Sequence, residues 1–197
     1  NEAEVIALLK AANRSRLPVT FRAAGTSLCG QAVTDAILAV AGNGWDKYKI
    51  LENGKKIRLQ PGIIGGQANR YLMPFGMKIG PDPASINSAM IGGIAANNAS
   101  GMCCGTAQNT YQTVDSMRVI LADGTLVDTA SPASRHAFKA SHPYILEKIS
   151  DLSGRVRADQ ALFDRIKRKF KIKNTTGYSL NALLEFNDPF DIMIHLM

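Results

Sequence analysis

Pro81-Asp82-Pro83-Ala84-Ser85-Ile86-Asn87-Ser88-Ala89-Met90-Ile91-Gly92-Gly93-Ile94-Ala95-Ala96-Asn97-Asn98-Ala99-Ser100-Gly101 is the stretch on which the reading of this chain turns. Two prolines hold its opening rigid. From Ala89 to Gly101, eight of the thirteen residues are Gly, Ala or Ser, and two asparagines stand side by side. An ordinary core helix fills volume with larger apolar groups. A run this small admits two readings. One is a close crossing of helices through small residues. The other is backbone packed against something bulky and flat that is not protein, with Asn97, Asn98 and Ser100 hydrogen-bonding its polar edges.

A second small-residue loop lies roughly 60 residues upstream. Val19-Thr20-Phe21 reads as a short strand after Pro18. It opens into Arg22-Ala23-Ala24-Gly25-Thr26-Ser27-Leu28-Cys29-Gly30-Gln31. Such a loop presents backbone N–H groups with little side chain in the way. It can approach a phosphate closely, with Thr26 and Ser27 adding hydroxyls and Arg22 adding positive charge. A plain tight turn is the alternative. The loop is neither the Walker pattern nor the Gly-x-Gly-x-x-Gly fingerprint. Two loops built for close backbone approach suggest one extended ligand that touches both. A dinucleotide, with a pyrophosphate and a planar ring system, has that shape.

Around these loops the pattern predicts a mixed chain. Val5, Ile6, Leu8, Leu9 and Ala12 have helical spacing over residues 2–14. Residues 36–40 read as a strand. Asn53-Gly54 and Asp123-Gly124 are turn dipeptides, which predicts hairpins from 49–52 with 56–60 and from 116–122 with 125–129. Helices are expected at 63–72, 143–153 and 159–169. The tail from Asn174 has no clear period, and residues 190–197 read as an unfinished apolar element, so a fragment of a longer protein is expected. No internal repeat, low-complexity tract or flexible linker divides the chain.

The 197 residues carry a net charge of +7, and 46% of them are apolar. These fractions exclude wholesale disorder. Residues 148–173 alone hold nine basic and three acidic side chains, so most of the excess sits in one segment. There Phe163, Ile166 and Phe170 share one helical face, which leaves the charges on the opposite, solvated one. Nucleic-acid binding would want aromatic platforms or a groove, and neither is evident. An anionic membrane surface or an acidic electron-transfer partner suits the segment better. No stretch approaches the length of a membrane span, and no signal peptide opens the chain.

Cys29, Cys103 and Cys104 are too few and too odd for a disulfide framework, which favours a reducing compartment. Cys103-Cys104 reads either as a redox pair or as two small buried thiols. His136, His142 and His195 are widely spaced and form no metal set with the cysteines. No catalytic Ser-His-Asp arrangement is suggested.

At this point the sequence resembles the FAD-binding domain of the vanillyl-alcohol oxidase and p-cresol methylhydroxylase superfamily. The branch of FAD-linked D-lactate, glycolate and D-2-hydroxyglutarate dehydrogenases is the nearer match. The family's first loop, Arg-Gly-Gly-Gly-Thr-Ser-x-x-Gly, is matched by Arg22, Gly25, Thr26, Ser27 and Gly30. Its second loop is matched by Pro81-Asp82-Pro83, Ser85, Ile91-Gly92-Gly93 and Ala96-Asn97-Asn98-Ala99-Ser100-Gly101. The likeness covers nearly the whole chain, and paired motifs are far more specific than a lone glycine loop.

The resemblance implies an α+β fold of the p-cresol methylhydroxylase type, truncated at both ends. It implies two α/β subdomains, 1–60 and 61–197, with FAD between them. Arg22, Ala23, Ala24, Gly25, Thr26, Ser27 and Leu28 would wrap the pyrophosphate. Pro83, Ser85, Ala89, Gly92, Gly93, Asn97, Asn98, Ala99 and Ser100 would line the flavin and its ribityl chain. Some relatives attach FAD through a histidine in the first loop; Thr26 stands there here, which implies non-covalent FAD. Ala23-Ala24 replace the usual glycines, so both must have φ below zero. Ala107-Gln108 stand where the family often has Tyr-Gly.

The implied activity is a flavin-dependent dehydrogenase or oxidase of a D-lactate-like 2-hydroxy acid. The substrate is expected to bind through a further domain absent from this chain, which on its own is expected to be inactive. Electrons would pass to a quinone, a cytochrome or an iron–sulfur partner. The expected location is cytoplasmic or peripheral on the inner face of the membrane. Other readings are a different FAD oxidase or synthase of the superfamily, and a basic module that binds nucleic acid or membrane.

Overall fold

The fold is built from short elements, and several of them start where the sequence supplies a cap or a proline. The Asn1 side-chain oxygen accepts the Glu4 amide N–H at 3.1 Å, and the Glu4 carboxylate takes the terminal amine at 2.6 Å. This reciprocal pair satisfies donors that a helix start leaves free. Helix α1 follows over Glu2–Ser15 and ends at Arg16 in the left-handed region. The structure is a computed structural model and describes residues 1–42, 44–101, 105–175 and 177–196. It forms two compact units, 1–110 with 120–125, and 111–119 with 126–197.

In the first unit, β1 (Val19–Arg22) and β2 (Ile37–Val40) pair in parallel, with Val19 opposite Ile37. Parallel strands need a crossover of about a dozen residues or more, usually helical. Here residues 23–36 make the crossing without a helix. The ladder is extended by the Ala41 N–H, which donates to the Arg22 carbonyl at 2.7 Å. The small-residue loop therefore begins at the carboxyl end of a parallel pair.

The first predicted hairpin is present as β3 (Tyr48–Leu51) and β4 (Lys56–Leu59), antiparallel, with Tyr48 opposite Leu59. The turn is wider than Asn-Gly alone implies, because Glu52, Asn53 and Gly54 all take positive φ. Gly54 is buried, and a β-carbon there would lie 2.5 Å from Phe75 Cβ. Helix α2 spans Gly65–Leu72, and a 3-10 turn at Met73–Phe75 carries Pro74.

Helix α3 (Ile91–Ala96) was not evident as a helix in the sequence. It is short, and its start is interlocked with that of α2. The N–H groups of Gly65 and Gly66 donate to the carbonyls of Ala89 and Ile86, at 3.0 and 2.8 Å. In return, Ile91 and Gly92 donate to Ile63 and Pro61, at 2.8 and 2.9 Å. Each loop thus satisfies donors that the other helix leaves open. Ala89, Ile94 and Ala99 form a small core with Ile86 and Ile91 packed on it.

The second predicted hairpin is β5 (Arg118–Ile120) with β6 (Leu126–Asp128), shorter than the expected strands and turning at Asp123-Gly124; the preceding α4 spans Thr110–Thr113. The second unit is largely helical. Its helices are α5 (Pro132–Ser141), α6 (Pro143–Ala158), α7 (Gln160–Lys169), α8 (Ala182–Glu185) and α9 (Pro189–His195). Helix α6 continues five residues past its expected end. Tyr111, Val156, Ile166, Ala182, Leu183 and Ile192 form the unit's core. As expected of α7, Ile166 is buried, Phe163 and Phe170 are half-buried, and the basic side chains are exposed. No helix among the described residues is long and apolar enough to cross a membrane.

Candidate functional site

All the site residues named above lie in the first unit. The first loop leaves β1 at Arg22 and is open to solvent from Gly25 onward. Gly25 has φ of 70°, a conformation that glycine adopts without penalty. The Arg22 side chain folds across it: a β-carbon on Gly25 would lie 3.1 Å from Arg22 Cδ. Ala23 and Ala24 are absent from the positive-φ residues, which meets the condition for alanine at both positions. Ser27 Oγ donates to Gln31 Oε1 at 2.5 Å and accepts the Cys29 N–H at 3.4 Å. Leu28 projects fully into solvent. Cys29 carries an exposed free thiol.

The second loop divides into a packed side and an open side. The Pro83 carbonyl accepts the Ile86 N–H at 2.9 Å, and the Ser85 carbonyl accepts those of Ser88 and Ala89 at 2.8 and 2.7 Å. Ala89 and Ala99 face the small core. A β-carbon on Gly92 would lie 2.8 Å from Pro61 Cβ, and one on Gly101 would lie 1.8 Å from the Asp82 carbonyl oxygen. These glycines permit contact with protein. A β-carbon on Gly93 would meet nothing within 4 Å. Gly93, Ala96 and Asn97 are exposed and form the open side.

Beyond α3 the chain turns back sharply. Asn98 is buried and has φ of 41°, the left-handed conformation that asparagine tolerates. Ser100 is 4% exposed, and its hydroxyl has no hydrogen-bond partner among the described residues. A buried orphan of this kind calls for an explanation. Thr110 holds the turn closed: its hydroxyl donates to the Ile94 carbonyl at 3.1 Å, and its N–H donates to the Ala99 carbonyl at 3.2 Å. Thr110 was not singled out from the sequence. Its signal is a hydroxyl residue a few positions past a small-residue turn with open carbonyls.

The remaining chemistry-bearing residues serve packing. His195 is buried, stacked on Phe186 with centroids 4.1 Å apart, and one ring nitrogen contacts the Asp191 carbonyl at 2.7 Å. His142 stacks on Phe138 at 4.9 Å. Tyr111 donates its hydroxyl to Glu185 at 2.6 Å. Burial first, and then the Glu185 carboxylate, push its phenol well above its ordinary range. The pair Cys103-Cys104 lies outside the described residues.

The fold is shared with solved flavoenzymes. The structure superposes on 6-hydroxy-D-nicotine oxidase from Arthrobacter nicotinovorans with a TM-score of 0.58 at 17% identity, covering 65% of this chain and 28% of that one. It superposes on alkyldihydroxyacetonephosphate synthase with a TM-score of 0.55 at 18% identity, covering 68% of this chain and 27% of that one. The fold is therefore the α+β fold of vanillyl-alcohol oxidase and p-cresol methylhydroxylase-type FAD-binding domains. Residues 1–130 match the FAD binding domain family, and the chain belongs to it.

Among curated proteins, the chain is 31% identical over 132 residues to the glycolate oxidase subunit GlcD of Escherichia coli, matching 66% of this chain and 26% of that subunit. It is 32% identical over 127 residues to the D-2-hydroxyglutarate dehydrogenase of the same species, matching 64% of this chain and 12% of that enzyme. The chain thus spans about a quarter or less of these relatives.

Proposed function

We propose that this chain is the cofactor-holding part of a flavin-dependent dehydrogenase or oxidase acting on a small, D-lactate-like 2-hydroxy acid. The observation that carries the reading is the buried, unpartnered Ser100 hydroxyl in the same loop as the exposed Gly93, Ala96 and Asn97. A planar ligand with polar edges fits that arrangement: the small residues admit it, and Ser100 gains the partner it lacks. The residues present therefore fit FAD. Bound FAD would supply the hydride acceptor that turns a 2-hydroxy acid into a 2-oxo acid.

In this reading Ala23 to Leu28 hold the pyrophosphate on backbone N–H groups, and Arg22 offsets its charge. Pro83, Ser85 and Ala89 set the entry to the ring site. Gly93 and Asn97 line it from the open side, Asn98 and Ser100 stand behind them, and Gly92 and Ala99, packed on protein, back the turn that carries them. The binding loops fall either side of residue 60, in subdomains 1–60 and 61–197. With Thr26 at the position of covalent attachment in some relatives, the cofactor is held non-covalently. The relatives extend well beyond the matched region, which supports substrate selection and electron delivery, to a quinone, cytochrome or iron–sulfur partner, by residues outside these 197. The cytoplasm is the proposed compartment.

The test is reconstitution. The chain is titrated with FAD and followed by flavin absorbance near ~450 nm, a property of the cofactor. Saturable binding that is weakened by Arg22→Ala and Ser100→Ala supports the reading; the absence of binding in the longest form of the protein overturns it. Acid precipitation is expected to leave the yellow colour in the supernatant. Colour in the pellet would contradict non-covalent attachment.

A further inference from the structure

The second unit carries a surface that the flavin reading does not use. From Arg165 to Leu184 the sequence holds six cations and no carboxylate. The six are Arg165, Lys167, Arg168, Lys169, Lys171 and Lys173, and all are exposed. Among the described residues none of them forms an ion pair. These cations thus have no direct ionic partner, unlike Arg118 and Arg135 of the same unit, which pair with Asp128 and Asp188.

Large apolar side chains stand out among these charges. Ile172 is 64% exposed, Tyr178 71% and Leu180 41%. Lys167 and Lys171 also line a groove of about 350 Å³ together with Phe163, Phe170, Leu184, Asn181 and a single carboxylate, Glu185, which brings the end of α7 against the segment that follows Leu180. The exposed cations and the exposed apolar side chains thus occupy one continuous stretch of sequence, 165–180.

We propose that this surface docks the protein on an anionic lipid bilayer. Lys and Arg near a charged bilayer contribute about 1 kcal/mol each. Isolated Ile, Tyr and Leu side chains insert at the level of the headgroups, where the tyrosine keeps its hydroxyl wet. A folded acidic partner is the competing occupant. It suits the surface less well, because it leaves the exposed Ile172, Tyr178 and Leu180 without an apolar phase to enter.

The experiment is vesicle flotation of the FAD-loaded chain, in its longest available form. The vesicles are phosphatidylcholine alone, or phosphatidylcholine with about a third phosphatidylglycerol. Binding is expected only to the anionic vesicles, and it should fall steeply when salt is raised from 0.1 to about 0.5 M. Reversing Lys167→Glu and Lys171→Glu together should weaken binding about thirtyfold or more. Ile172→Ser with Tyr178→Ser should weaken it severalfold with the charge unchanged. The control, Lys49→Glu with Lys55→Glu in the first unit, changes net charge equally and should leave most binding intact. Equal binding to both vesicle types overturns the proposal, as does equal loss in the control, or no binding to anionic vesicles at low salt. Helical circular dichroism and the thermal midpoint of each variant show that the largely helical second unit stays folded.

Discussion

The carbonyl oxygen of Asp82 occupies the space into which a side chain on Gly101 would grow, 1.8 Å from where its β-carbon would stand. The first and last parts of the ligand-facing loop are thereby pressed together. Gly101→Ala must push backbone against backbone, and neither side has a flexible end to yield. We expect a loss of about 3 kcal/mol or more in denaturant unfolding. Gly93→Ala is the contrast. Its β-carbon meets nothing, and alanine favours a helix over glycine by up to about 1 kcal/mol. Stability should hold or rise, while FAD affinity falls about tenfold if the flavin lies over that residue.

Ser100→Ala separates the fold from the ligand. The hydroxyl is buried without a partner, so removing it relieves an unmet polar group and leaves the FAD-free protein as stable as before, or up to about 1 kcal/mol more so. Flavin titration should show the opposite, a five- to tenfold weaker affinity, near ~1 kcal/mol. Unchanged affinity would remove Ser100 from the site.

Tyr111→Phe has a signed dependence on pH. The phenol is pushed up, chiefly by burial and then by Glu185, so its folded value exceeds its unfolded value of about 10. Its contribution is therefore complete below about pH 10 and is lost as pH rises beyond that. The variant should be less stable by about 1–2 kcal/mol at pH 8, through the lost hydrogen bond. By pH 11 the gap should narrow, as paired urea titrations would show.

Arg157 gathers four acceptors at the end of α8. Nε donates to the Leu183 carbonyl at 3.0 Å, Nη2 to those of Leu184 and Phe186 at 3.2 and 2.6 Å, and Nη1 to Asn187 Oδ1 at 2.7 Å. These are carbonyls that a helix end leaves open. Arg157→Ala should cost about 2 kcal/mol in thermal or urea unfolding. Arg157→Lys should recover less than half, because one ammonium cannot span the fork.

What the sequence made legible follows from how local each cause is. Asn53-Gly54 announced its hairpin because a turn depends on its own φ values; the approach of Phe75 to Gly54, a contact more than twenty positions away, left no such local sign. The helices opening at Pro132 and Pro189 had local signals that went unread. Ser131 and Asp188 accept N–H groups at 3.3 and 2.9 Å, each directly before a proline in the first turn. The proposed site is legible as two small-residue motifs, but their inner division is not. Gly92 and Gly101 serve Pro61 and Asp82, while Gly93 stays open, and only the packed chain separates them. Thr110 likewise acts on the carbonyls of Ile94 and Ala99, up to sixteen positions away.

The helix-free crossover from β1 to β2 makes the state of the cofactor readable by a protease. Both of its ends are anchored in the parallel ladder, and Leu28 stands fully exposed between them. Chymotrypsin should nick the chain after Leu28 while every β1–β2 hydrogen bond stays in place, so the two pieces remain associated under native conditions. If the pyrophosphate sits on Ala23 to Leu28, as proposed above, the same bond should be shielded. The rate of the cut at Leu28, identified by the masses of its two fragments, then measures cofactor occupancy in samples too dilute or too turbid for a flavin spectrum.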